Sequence, residues 1–245
     1  MKQYGLIGHP LSHSFSQQYF TAKFASLGLE GHHYGLYPLE HITDLPDLIV
    51  RTPGISGLNV TAPHKRSVME LLDELHPIAS AVGAVNTIAF REGRSVGYNT
   101  DVDGFRYTLL PLIGSERPRA LVLGSGGACR AVVFVLKELG IRFRVVSRSR
   151  DRGDLTWDQV DPTIVKACPL LINTTPVGTY PSEDEAPLLP YEALGPRHML
   201  IDLIYNPSNT RYLRNGAAQG ARTVNGLSML HAQADGSWRI WQHGE

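Results

Sequence analysis

"RALVLGSGGACRA" (Arg119–Ala131) begins with an unbroken apolar run, Ala120–Leu123, and then places glycine at 124, 126 and 127 before a segment of small residues. An apolar run with no polar alternation reads as a strand buried on both faces, the habit of parallel sheets covered by helices. Glycines at a strand-to-helix turn allow a tight bend, close approach of the backbone to a pyrophosphate, and exposed amides at a helix N-terminus. The full GxGxxG string is not met. Cys129 holds the third glycine position, and Ala131 supplies the small contact between helix and strand. Taken alone, such a cluster fits a structural turn equally well.

The next strand, "RFRVVS" (Arg142–Ser147), ends in Arg148, Ser149, Arg150 and Arg152 with no acid at its tip. Dinucleotide folds place a carboxylate there for the NAD ribose, or an arginine for the 2′-phosphate of NADP. A guanidinium binds that phosphate through paired hydrogen bonds, whereas a carboxylate repels it. A solvated basic loop is the other reading; with the glycine loop, the arginines favour NADP(H). Further apolar strands, "PLLINTT" and "HMLIDLIY", extend the parallel sheet of this second lobe to about Val224.

The first hundred residues also alternate strands and helices. Strands are expected at "QYGLIG", "HYGLYPL" and "GLNV", helices at 16–27, 42–50 and 65–75, and a hairpin at "VNTIAF" and "SVGYN" around "REGR". "DVDGFRYTLLPL" (Asp101–Leu112) is amphipathic, and the last helix, from "NGLSMLHAQA", is closed by Trp238 and Trp241 and fits either lobe. The fold class is therefore α/β in two domains.

Polar residues collect where the strands of the first lobe end: Ser12, Ser14 and Ser16; Asn59, Thr61 and Lys65; Asn86 and Thr87; Asn99, Thr100 and Asp101. Open α/β sheets bind ligands beyond the carboxyl ends of their strands. Hydroxyls, amides, an ammonium and a carboxylate suit a small polyhydroxylated acid. Each residue alone also fits a helix cap or turn, Ser16 and Asp101 above all.

With 23 basic and 23 acidic side chains the formal charge is zero, which argues against a broad nucleic-acid footprint. No run approaches the ~20 apolar residues of a membrane span, and the N-terminal apolar run is too short for a signal peptide. Cys129 and Cys168 form no metal or disulfide pattern. His9 and His13 have i,i+4 spacing, but Pro10 puts them in a turn, so no metal site is expected. The expectation is a cytoplasmic chain with a small-molecule substrate, without nucleic-acid or membrane partners, as monomer or homodimer.

The ordered segments "GHPLSHSFS", "GLNVTAPHK", "GAVNT", "GYNTD", "LGSGGACRA", "NTTPVG", "DLIYNP" and "NGLSMLHAQA" resemble the signatures of the shikimate dehydrogenase family, from Gly8 to Ala234. The resemblance implies reversible NADPH-dependent reduction of 3-dehydroshikimate to shikimate, a step toward chorismate and the aromatic amino acids. It implies a substrate domain, 1–101 completed by 226–245, a Rossmann-like NADP domain, 102–225, and an active site in the cleft between them. Lys65 and Asp101 would form the catalytic pair. Ser14, Ser16, Thr61, Asn86, Tyr205 and Gln233 would bind substrate. Gly124, Ser125, Gly126, Gly127, Ala128, Ser147, Arg148, Ser149, Arg152, Thr174 and Gly226 would bind the cofactor. Phe15 stands where lysine is common in the family, His64 precedes the catalytic lysine, and Ser147 replaces a common asparagine. Phe15 keeps a quinate-accepting paralogue, or one that also takes NAD, as an alternative; an NADP-sensing regulator on the same scaffold is another.

Overall fold

The computed structural model describes residues 1–11 and 15–244, so Ser14, with Ser12 and His13, lies outside the described residues. The chain forms two compact units, Met1–Thr100 with Ala234–Glu245, and Asp101–Gln233.

The first unit runs β1 (Lys2–Gly8), α1 (Phe15–Ser26), β2 (His32–Pro38), α2 (Leu45–Arg51), β3 (Ile55–Val60), β4 (Glu74–Leu75), α3 (Pro77–Val82), β5 (Thr87–Arg91) and β6 (Arg94–Tyr98). Its six-stranded sheet has the order β2-β1-β3-β5-β6-β4. β1 lies parallel to β2 and β3, while β5 runs antiparallel to β3 and β6. The expected hairpin is present as β5–β6. Glu92 and Gly93 at its turn have φ of 50° and 77°, the positive pair that a two-residue turn needs to match strand twist.

Two expected helices are altered. Residues 42–50 split into a 3-10 turn, Ile42–Asp44, and α2, where Pro46 sits in the first turn and so gives up no internal hydrogen bond. Residues 65–75 form only a 3-10 turn, Ser67–Leu71, followed by β4. The cause is local: the Lys65 carbonyl accepts from Val85 N at 2.7 Å, and Met69 N turns to Arg66 O at 3.1 Å. An α-helix needs the Lys65 carbonyl for Met69.

The second unit runs α4 (Asp101–Ile113), β7 (Ala120–Leu123), α5 (Gly127–Glu138), β8 (Phe143–Ser147), β9 (Leu155–Thr156), α6 (Pro162–Ala167), β10 (Leu170–Asn173), β11 (Met199–Asp202), α7 (Arg211–Ala218) and β12 (Arg222–Val224). All strand pairs here are parallel, in the order β12-β11-β10-β7-β8-β9. Counted from β7, this is the 3-2-1-4-5-6 order of doubly wound dinucleotide folds, with its reversal between β7 and β10. The expected parallel sheet with apolar strands is therefore present; every residue of β7, β10 and β11 is buried.

The final helix, α8, spans Leu227–His243, and its residues from Ala234 onward belong to the first unit. There Trp241 packs on Tyr4 and Phe20, with ring centroids 4.8 Å and 5.1 Å away, and its indole N–H donates to Ile88 O at 3.0 Å. A Cβ on Gly57 would overlap that indole. Glycine in β3 is thus required by the approach of the tryptophan, and the helix seats on the sheet only because a side chain is missing there.

Candidate active site

In the second unit, the strand reversal brings the tips of β7 and β10 together. Gly124 has φ of 105°, and a Cβ there would meet Thr174 Oγ1 and Thr175 Cγ2 at 2.8 Å; only glycine fits both backbone and space. Thr174 Oγ1 donates to Leu123 O at 2.8 Å, closing the junction. Ser125 Oγ lies 2.9 Å from Ser147 Oγ, which joins the glycine loop to the tip of β8. Gly126 caps α5, and a Cβ built on it meets nothing within 4 Å. The protein's own packing therefore does not demand that glycine, and the space over the first turn of α5 is open to a ligand. Helix N-termini present unpaired amides and a positive dipole end, which suits a pyrophosphate. Arg148 is exposed just past β8, and Ser149 and Arg152 flank it, the latter on a 3-10 turn, Arg150–Arg152. Gly124, Ser125, Gly126, Gly127, Ala128, Ser147, Arg148, Ser149, Arg152 and Thr174 thus share one edge of one sheet. Gly226 follows β12. Its N–H donates to Ile204 O at 3.0 Å, and a Cβ would overlap the Leu203 carbonyl, so close backbone passage accounts for this glycine.

Asp202, at the end of β11, is fully buried and accepts from three groups. Asn173 Nδ2 donates to Oδ1 at 3.0 Å, Ile204 N to the same oxygen at 3.1 Å, and Thr210 Oγ1 to Oδ2 at 2.6 Å. Leu213 N in turn donates to Thr210 Oγ1 at 3.4 Å, capping α7. Asn173 Oδ1 accepts from Thr175 N and Thr175 Oγ1 at 3.0 Å and 2.7 Å. One carboxylate thereby fixes the loop after β10, the turn that leads to Tyr205, and the start of α7. Tyr205 itself is half-buried, and burial raises its pKa. Sequence reasoning did not single out Asp202; its signal was an acid closing an otherwise apolar strand, "MLID".

In the first unit, the polar strand ends divide into two sets. Asn59, Asn86, Thr87, Thr100 and Ser237 are all buried and bond one another. Asn59 Oδ1 accepts from Tyr34 Oη at 2.7 Å, and its Nδ2 donates to Ser237 Oγ at 2.9 Å. Thr87 Oγ1 lies 2.8 Å from Ser237 Oγ and donates to Asn86 Oδ1 at 3.1 Å. Asn86 Oδ1 also accepts from Thr100 N at 2.8 Å, while Asn86 Nδ2 donates to Thr100 Oγ1 at 3.0 Å. Ser16 joins through a hydrogen bond to Tyr34. Thr61 and Lys65 form the other set: both are half-buried just past β3. The backbone of Thr61 is fixed by Ile7 O at 2.9 Å, yet its hydroxyl has no hydrogen-bond partner among the described residues. His64 is buried and its Nε2 lies 2.6 Å from Leu39 O, so its role is to anchor the turn that carries Lys65.

Asp101 and Gln233 belong to the second unit. Asp101 opens α4 and is buried, a position where a carboxylate faces the positive end of the helix dipole. Gln233 is half-buried on α8, with Nε2 donating to Leu230 O at 3.0 Å. Phe15 stacks on Tyr19 with centroids 5.7 Å apart; the Tyr19 hydroxyl donates to Asp235, to which Lys23 is also bonded at 2.5 Å. Among the described residues, no group of three or more His, Cys, Asp or Glu side chains is placed to hold a metal ion. Nor is any described helix long and apolar enough to cross a membrane.

Residues 6–88 match the model of the shikimate dehydrogenase substrate-binding domain. The shikimate dehydrogenase (NADP(+)) of Methanothermobacter thermautotrophicus is 35% identical over 97% of this chain and 89% of its own. Among solved structures, shikimate 5-dehydrogenase from Thermus thermophilus, in complex with NADP(H) and shikimate, has a TM-score of 0.88 and 34% identity, covering 100% of this chain and 94% of that one. Quinate dehydrogenase from Corynebacterium glutamicum, in complex with NAD, is 25% identical at a TM-score of 0.87, covering 100% and 94%. The chain belongs to the shikimate dehydrogenase family.

Burial raises the Asp202 pKa from 3.8 to about 6, against the lowering effect of its hydrogen bonds. The folded chain therefore holds this proton more tightly than the unfolded chain between about pH 4 and 6, and stability contributed here grows as pH falls through that window. Relative to Asp202→Asn, the wild type should gain on the order of 1–3 kcal/mol between pH 7 and pH 4. Urea unfolding of both proteins at the two pH values reads this directly; an unchanged difference would contradict it.

Proposed function

We propose that this chain catalyses the reversible reduction of 3-dehydroshikimate to shikimate with NADPH. The observation that carries this reading is the likeness, along the whole of this sequence, to a structure solved with both NADP(H) and shikimate. The local chemistry supports it. The open space over Gly126, the capped start of α5 and the arginines past β8 fit a dinucleotide with a 2′-phosphate, which Arg148 grips. The bound nicotinamide supplies or accepts the hydride.

The remaining tasks belong to side chains. Reduction of a ketone builds negative charge on its oxygen, and a nearby ammonium stabilises that charge and supplies a proton. Lys65 takes this role, with Asp101 as the second member of the proposed catalytic pair. Lys65 stands on a turn fixed by His64 and by Val85 N, so its stem starts from a rigid base. Thr61 offers a hydroxyl without a protein partner among the described residues, and Asn86 offers an amide held by buried bonds. With Ser14, Ser16, Tyr205 and Gln233 they bind the hydroxyls and carboxylate of the substrate.

A second reading, a relative that turns over quinate or uses NAD, is favoured by Phe15 and by the likeness to quinate dehydrogenase. Initial rates with shikimate and quinate, each with NADP+ and NAD+, separate the two. Shikimate with NADP+ should give the highest kcat/KM; a preference for quinate or NAD+ would overturn the first reading.

Lys65→Ala should lower kcat by about 10²–10⁴-fold, the usual worth of acid–base help, with little change in shikimate KM. Near-normal turnover would remove Lys65 from the chemistry. Arg148→Ala should raise KM for NADP+ far more than for NAD+, since only NADP+ carries the 2′-phosphate. Equal effects would mean that the arginine serves its loop and not the cofactor.

A further inference from the structure

The second sheet has another edge, at the amino ends of its strands, and there the packing pattern breaks. Alternate side chains of neighbouring parallel strands face one side. On the side of β7 that bears Leu121 and Leu123, and of β8 that bears Val146, the inner positions pack into one apolar cluster with Val165 and Cys168. The outer positions of the same rows are Arg119, Arg142 and Arg144. Register pairs Leu121 with Arg144 and Ala120 with Phe143, which sets Arg119 beside Arg142 one step earlier. Three guanidiniums are thus forced onto one face of two adjacent strands.

They line a cavity of about 430 Å³, with Ala120, Phe143, Thr163, Ile164, Ala167 and Cys168. No lining residue is acidic, and among the described residues none of the three arginines forms a salt bridge. Burial pushes the Cys168 thiol upward while Arg119 and Arg144 pull against it, so both charges act on the cavity floor. Like charges on adjacent strands are unfavourable unless something neutralises them, and planar guanidinium forks match phosphate oxygens. The apolar floor, from Ile164, Ala167 and Cys168, suits an organic body attached to that phosphate. The volume lies within the range of small-molecule sites.

We propose that this cavity binds a small phosphate monoester whose body is apolar, at a site separate from the cofactor. The separation follows from the strand itself: Arg144 stands near the start of β8 and Arg148 just beyond its end, about 13 Å along an extended chain.

The test uses phenyl phosphate as probe, with inorganic phosphate and phenol as its two halves, titrated into the protein by calorimetry both without NADP+ and in saturating NADP+. Phenyl phosphate should bind saturably, at least tenfold more tightly than either half, and Arg142→Ala and Arg144→Ala should each weaken it at least tenfold. Both arginines are exposed, so the variants should fold, and their KM for NADP+ should match the wild type. Absent binding, binding untouched by the arginine replacements, or binding abolished by NADP+ would each overturn the proposal; the last would assign the probe to the cofactor's phosphate subsite. A failure of shikimate turnover bears on the proposed activity alone and leaves this titration interpretable.

Discussion

The first unit is organised by a set of hydrogen bonds in a place where water cannot substitute for them. Asn59, Asn86, Thr87, Thr100 and Ser237 are each at most 5% exposed. A polar group buried without a partner costs about 1–3 kcal/mol, so these five either satisfy one another or oppose folding together. They succeed because three strands and one helix deliver them to one point: Asn59 from β3, Asn86 and Thr87 from the start of β5, Thr100 from the end of β6, and Ser237 from α8. The network therefore does two things at once. It fastens the last helix to a sheet built from the first hundred residues, and it fixes the amide of Asn86, one of the groups proposed to meet the substrate.

The second unit repeats the same physical solution with a charge. Asp202 holds the tips of β10 and β11 and the start of α7 through donors alone. Its raised pKa records the cost of burying a carboxylate even among three good partners. In both units, polar groups at strand ends hold in place the loops to which binding roles are assigned. Rigid support of this kind is what keeps binding groups within a few tenths of an ångström of a productive geometry.

Much of this was legible in the sequence, and the limits have identifiable causes. Continuous apolar strands announced the parallel sheet, and the glycine loop and the arginines marked the sheet edge proposed to take the nucleotide, because these signals are local. Asn59 was legible only as a polar residue near a site; its partner Ser237 is 178 positions away, and no local pattern reveals such a bond. The helix expected after Lys65 failed for the same reason, since the competing donor, Val85 N, comes from a distant strand start. The helices α6 and α7 were expected between the strands but not placed, because at six and eight residues each is too short for a helical period to stand out. Gly226 carries two readings, and the packing of Leu203 against it is sufficient reason for the glycine.

The claim that buried polar bonds join the last helix to the first sheet is tested most directly by a double-mutant cycle on Asn59→Ala and Ser237→Ala, read by urea unfolding. If the two side chains share one network, the double variant should lose less than the sum of the single losses, with a coupling of about 0.5–3 kcal/mol. Losses that simply add would mean that the two groups act independently, and the account of how this unit is held together would be wrong.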